Sequence, residues 1–257
     1  MTASLEWRNA GIVAIVCFNI CCMAEDSASI SGEEDALPQR KKFRVLVELA
    51  VAYALILIVC WTPHPWQRLL WLVTAAAIVL ITAISFDGLQ AMGLRKTNFL
   101  RSLWVVGAAL LLAAAAVLVA AKLNTLHLPG TFVLFIKTYF AYSVWAAVQQ
   151  FLMQCFFLLR LLRLLPSARF AAVIAALIFA LAHLPNPILT SVTLIWGFAA
   201  CLVFLRYRNL YPLAMAHAIF GIAIAVTVPG PVDHNMRVGL GYLTYGHTHN
   251  PPPSQPK

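Results

Sequence analysis

The chain has 257 residues, 62% of them hydrophobic and 11% charged, and a mean hydropathy of +0.84. These values exclude an ordinary soluble domain and indicate an integral, multi-pass membrane protein. The net charge of +9 comes from basic clusters between apolar runs, so its expected partner is anionic lipid and no nucleic acid is required.

In chain order, residues 11–23 are apolar but too short to span, and Glu6 and Arg8 cancel where a secretory leader needs net positive charge. An acidic polar stretch from Ala24 to Gln39 reads as a disordered cytoplasmic leader, with Met23 as an alternative start. Apolar runs follow at 45–61, 70–86, 103–121, 131–159, 170–184, 188–205 and 211–228. A helix needs about 20 apolar residues to cross a core ~30 Å thick. The runs predict an all-α, polytopic transmembrane bundle of about seven spans. Four parts are expected: a leader over 1–44, two N-terminal helices over 45–89, a membrane domain over 90–228 and a polar, Pro-rich tail over 229–257. The run 131–159 would be about 43 Å long if straight, so it must tilt, kink or overhang.

Arg40, Lys41, Lys42 and Arg44 precede the first run, and alternate loops carry Arg95, Lys96 and Arg101, then Arg160, Arg163 and Arg169, then Arg206 and Arg208. The opposite loops hold only Arg68 and Lys122. Positive residues are retained inside, which predicts an inner-membrane protein with its N-terminus inside and its C-terminus outside. The six cysteines (Cys17, Cys21, Cys22, Cys60, Cys155, Cys201) show no zinc-type pairing and read as small buried hydrophobes.

Polar groups recur in the last runs. Gln150 and Gln154 lie one turn apart on one helix face, with Gln149 about 100° away. Taken singly, each is interhelical hydrogen-bond glue; three within six residues need several partners, because an unpaired amide in hydrocarbon is costly. His183 and His217 are the histidines deep in the C-terminal runs. Each reads either as a satisfied packing residue or as a functional intramembrane ionisable group. Phe179, one turn before His183, reads alone as core.

Together, Gln149-Gln150-x-x-x-Gln154, Phe179-x-x-x-His183 and His217-x-x-x-Gly221 resemble the three motifs of the CPBP family, the type II CaaX prenyl protease or Abi-like intramembrane peptidases. That family carries Glu-Glu-x-x-x-Arg, Phe-x-x-x-His and His-x-x-x-Asn on successive helices. The resemblance spans roughly residues 90 to 225 and includes the text around Leu177 to His183 and Phe204 to His217. It implies an intramembrane endopeptidase acting on membrane-associated, in some cases prenylated, peptides. By this alignment Gln149, Gln150, Gln154, His183 and His217 hold the catalytic positions and Phe179 and Gly221 supporting ones. In the family a glutamate and the histidines activate water, and the asparagine helps hold the oxyanion.

This chain differs at the two glutamates, the arginine and the asparagine, and from Gly88 to Val232 it contains no Asp or Glu. An amide orients water but cannot accept its proton; losing a general base costs about 10²–10⁴-fold. Two histidines and a glutamine suit zinc poorly, so no cofactor is expected, a divalent metal being the alternative. Asp87, Asp233 and His234 are the loop groups that could approach the site. The expected functions are therefore a CPBP-type endopeptidase or, alternatively, a catalytically inactive pseudoprotease that binds or chaperones a membrane partner. A transporter is the third class, without repeat symmetry or coupling carboxylates to support it.

Overall fold

The structure, a computed structural model, describes residues 38–86 and 88–245. Residues 1–37 of the expected leader, with Met23 and the first three cysteines, Asp87, and the proline-rich end of the tail lie outside the described residues; the end of the expected leader, from Gln39 to Arg44, forms the first turns of a helix. All the described regular structure is helical. Among the described residues five helices are long and apolar enough to cross a membrane: α1 (Gln39–Trp61), α2 (Trp66–Ile84), α3 (Phe99–Lys122), α4 (Phe132–Leu164) and α6 (Pro187–Tyr207). The shorter apolar helices α5 (Ala168–Leu181) and α7 (Tyr211–Thr227) complete a set of seven. Two short helices, α8 (Gly230–Asp233) and α9 (Gly239–Leu243), close the described chain.

The outward surface is apolar, with Leu111, Phe132, Phe140 and Ile195 more than two-thirds exposed. Water would not tolerate such a belt, but lipid tails do. Inside, α5 buries Ala171, Ala172, Ala175, Ala176 and Ala180, and α6 buries Gly197, Ala200 and Cys201. Small side chains allow these two helices to approach closely. A Cβ at Gly197 would lie 3.3 Å from the Phe179 ring and 3.4 Å from the backbone of Ala176.

Polar loop contacts fasten both ends of the bundle. At the end where α1 begins, Asn209 Nδ2 donates to the carbonyls of Arg95 (2.8 Å) and Thr97 (2.9 Å), and Asn98 Nδ2 donates to that of Tyr207 (3.2 Å). At the opposite end, Asn186 Oδ1 accepts from Leu189 N (3.1 Å) and caps α6, with Pro187 in its first turn. The Nδ2 of Asn186 donates to the carbonyls of Asp233 (2.7 Å) and Arg237 (3.1 Å). One asparagine thus joins the α5–α6 turn to the segment after α7.

Arg160, expected in a loop, lies within α4 and is buried. Its Nε contacts Glu48 Oε2 on α1 at 3.1 Å, its Nη1 donates to the Phe156 carbonyl at 3.2 Å, and its guanidinium covers the Phe156 ring at 3.9 Å. Glu48 also pairs with Arg44 at 2.9 Å and accepts from Ser85 Oγ of the α2 C-cap at 3.1 Å. The first-run carboxylate is therefore engaged in holding α1, α2 and α4 together. Removing one partner of a buried pair leaves the other charge uncompensated, which costs about 3–5 kcal/mol. Glu48→Ala is expected to lower the unfolding midpoint in detergent, and Glu48→Leu with Arg160→Met to recover most of the loss; equal midpoints for wild type and Glu48→Ala would remove this role.

Candidate functional site

The polar side chains of α4 are separated by a change in its backbone. Over Leu152–Leu158 the helix is π-helical, so Leu159 N–H bonds to the Gln154 carbonyl five residues back. Such stretches widen a helix and recur at functional sites. Gln149 faces a cavity of about 640 Å3. Gln150 and Gln154 are fully buried and do not line it.

His217, in the middle of α7, places Nδ1 3.0 Å from Gln150 Oε1. With an amide oxygen as acceptor, Nδ1 carries the proton and the lone pair of the neutral ring lies at Nε2. His183 follows the C-terminus of α5, and its Nδ1 donates to the Phe179 carbonyl at 2.7 Å. The same tautomer results. Phe179 lies between the imidazoles, with ring centroids 4.9 Å from His183 and 5.8 Å from His217. Trp196 of α6 closes the other side at 6.3 Å from His217. Both histidines line the cavity.

The structure thus brings Gln149, Phe179, His183, His217 and Gly221 to one cavity, with Gln150 bracing His217 from behind the wall. Gln154 stands apart from this contact. It lies against the Cys201 thiol, and neither of its amide atoms makes a hydrogen bond of good geometry. Neither imidazole is hydrogen-bonded to a carboxylate among the described residues.

Asp233 is the acidic residue among those lining the cavity, and among the described residues no Lys or Arg lines it. Burial raises its carboxyl above the usual range, opposed by the backbone amides of Asn235 and Met236. His234 turns away, its ring stacked on Tyr242 at 4.0 Å and Tyr245 at 4.8 Å. Among the described residues no group of three His, Cys, Asp or Glu side chains converges to hold a metal ion.

Residues 131–223 match the family model described as type II CAAX prenyl endopeptidase Rce1-like. No curated protein and no solved structure matches the chain. The resemblance read from the motifs agrees with this match. The Rce1-like segment opens at the N-cap of α4, Thr131, and closes just beyond Gly221. It contains every motif residue, whereas Glu48 and Asp233 lie outside it. The chain is thus a multi-pass membrane protein with a CAAX-protease-like segment.

Two cavity residues escaped the sequence reading. Tyr142 stands seven residues before Gln149 on the same helix face, a spacing that carries the signal, but a tyrosine in an apolar run reads as core. Trp196 carries an indole N–H that finds no partner. At Gly221 the missing side chain has a structural reason: a Cβ there would overlap the Tyr142 hydroxyl. Overpacking of this kind costs about 1–3 kcal/mol. Gly221→Ala is expected to destabilise the protein by that amount, and Tyr142→Ala in the same chain to cancel most of it, as a double-mutant cycle of unfolding midpoints would show.

Proposed function

We propose that the chain is a hydrolytically silent relative of the prenyl endopeptidases, one that holds a membrane-associated peptide, or the lipid-modified end of one, in its cavity. The observation that supports this most directly is the contact between Gln150 Oε1 and His217 Nδ1 at 3.0 Å. Glutamine is a near-isostere of glutamate, so an acceptor is kept behind the imidazole while the charge is lost. A histidine that takes a proton from water becomes an imidazolium, and a carboxylate behind it stabilises that charge; an amide does so far less. Loss of such a partner or of the general base costs about 10²–10⁴-fold in rate. The cavity itself remains, lined mainly by apolar and aromatic side chains with a few polar groups, the usual make-up of a binding site.

The basic residues of alternate loops support an inner-membrane location with the N-terminus inside. The cavity, lined by the C-terminal end of α1, by His127 and by Asp233, then faces the outer side. Hydrolysis by the imidazoles alone is the second reading. It is favoured by the two Nε2 atoms, neither of which has a hydrogen-bond partner among the described residues.

The two readings separate in one assay. Purified wild type is expected to cleave no member of a membrane-peptide library. Gln149→Glu with Gln150→Glu, tested with and without Gln154→Arg, is expected to gain cleavage. Wild-type cleavage that disappears in His183→Ala or His217→Ala would reject silence and establish the second reading.

A further inference from the structure

The Tyr142 hydroxyl occupies the space that a side chain at residue 221 would take. Gly221 lies one turn beyond His217 on α7, and residues four apart share a helix face. The hydroxyl is thereby held on the face of α7 that carries His217, one helical turn along it. Tyr142, which is only partly buried, and Gly221 both line the cavity, and no hydrogen bond joins the hydroxyl to another described residue. A tyrosine hydroxyl that faces a cavity is free to take its partner from a ligand. Among the groups facing the same space are the His217 and His183 rings, whose Nδ1 protons are engaged elsewhere.

We propose that Tyr142 is a ligand-binding residue, its O–H donating to a backbone carbonyl of the bound peptide while the imidazole Nε2 atoms accept from backbone N–H. An amide presents one acceptor and one donor, and this wall presents the complementary pair. The charges along the cavity narrow the ligand further. Among the described residues no Lys or Arg lines it and Asp233 does, so a free terminal carboxylate would enter without a counter-charge and against a like one. The ligand class is an apolar peptide engaged through uncharged amides, internal or C-terminally blocked, and not through a terminal carboxylate. This rests on the cavity being a peptide-binding site, as proposed above.

The test uses the full-length protein in nonionic detergent at neutral pH. Trp145 and Trp196 line the cavity and report occupancy by their fluorescence. The probes are decanoyl-leucine amide and its carboxylate twin, decanoyl-leucine. Wild type is expected to bind the amide at least 10-fold more tightly than the twin. Tyr142→Phe keeps the ring on Gly221 and removes one neutral hydrogen bond, so it should weaken amide binding about 10-fold with an unchanged unfolding midpoint. Amide binding unaffected by Tyr142→Phe would overturn the role of the hydroxyl. A carboxylate twin that binds as well as the amide would overturn the ligand class, even if the variant failed to fold. If neither probe perturbs wild-type fluorescence, the binding function itself falls, an outcome distinct from binding that is indifferent to Tyr142.

Discussion

The contact between His217 Nδ1 and Gln150 Oε1 is the constraint from which the rest of the site follows. Hydrocarbon offers polar groups no water, so each must find its partner within the protein. Gln150 meets this need for His217, and the Phe179 carbonyl meets it for His183. Both partners take the Nδ1 proton, and so both rings direct their remaining acceptor away from their supports. Phe179 lies against both rings and sets their separation through packing, without a further polar group. Charge is kept at the ends of the bundle. Glu48 and Arg160 pair where α1 begins, and Asp233 lies beyond the last span.

Helix lengths explain where the cavity lies. α4 has 33 residues, about 50 Å at ~1.5 Å per residue, well beyond a ~30 Å core. α5 has 14 residues, about 21 Å by the same rise. A long helix beside a short one cannot match it over the full membrane thickness. The cavity is lined by α4 from Thr138 to Phe157, the last turns of α5 and the first turns of α6, on the side where α5 stops. The His183 turn is fixed there by Asn186, which caps α6 and binds the backbone at Asp233 and Arg237. A histidine just past the end of the short α5 and one at the middle of α7 thus face the same cavity.

The apolar runs made the helices legible because lipid selects for composition and length, both of which are local. The run expected at 170–184 is the helix Ala168–Leu181, and that at 211–228 is Tyr211–Thr227. Arg160 was read as a loop cation because it follows an apolar run, and its partner Glu48 lies 112 residues away in sequence. The spacing of Phe179, His183 and His217 was legible, since one face of a helix is a property of spacing. The different placements of Gln149 and Gln150 were not. Adjacent residues on a helix diverge by about 100°, and only the position of α7 decides which amide meets an imidazole. The π-helical register of Leu152–Leu158 has no side-chain signature, being a shift of backbone hydrogen bonds. Tyr142 was hidden for a related reason. Its meaning depends on the absence of a side chain at Gly221, 79 positions later, and each residue read alone is unremarkable core.

The chemistry of glutamine and glutamate shows why fold and catalysis could separate at such a site. Folding requires that the His217 N–H find an acceptor and that the wall around Phe179 stay packed; an amide oxygen satisfies both. Catalysis requires that a positive charge formed on the ring be stabilised while water is attacked, and only a charged or strongly polar neighbour does that. A bilayer strengthens the distinction, because an uncompensated carboxylate buried behind the ring would carry a desolvation cost that the amide avoids. Selection for a stable cavity alone would therefore favour glutamine at Gln150, while selection for hydrolysis would favour the acid.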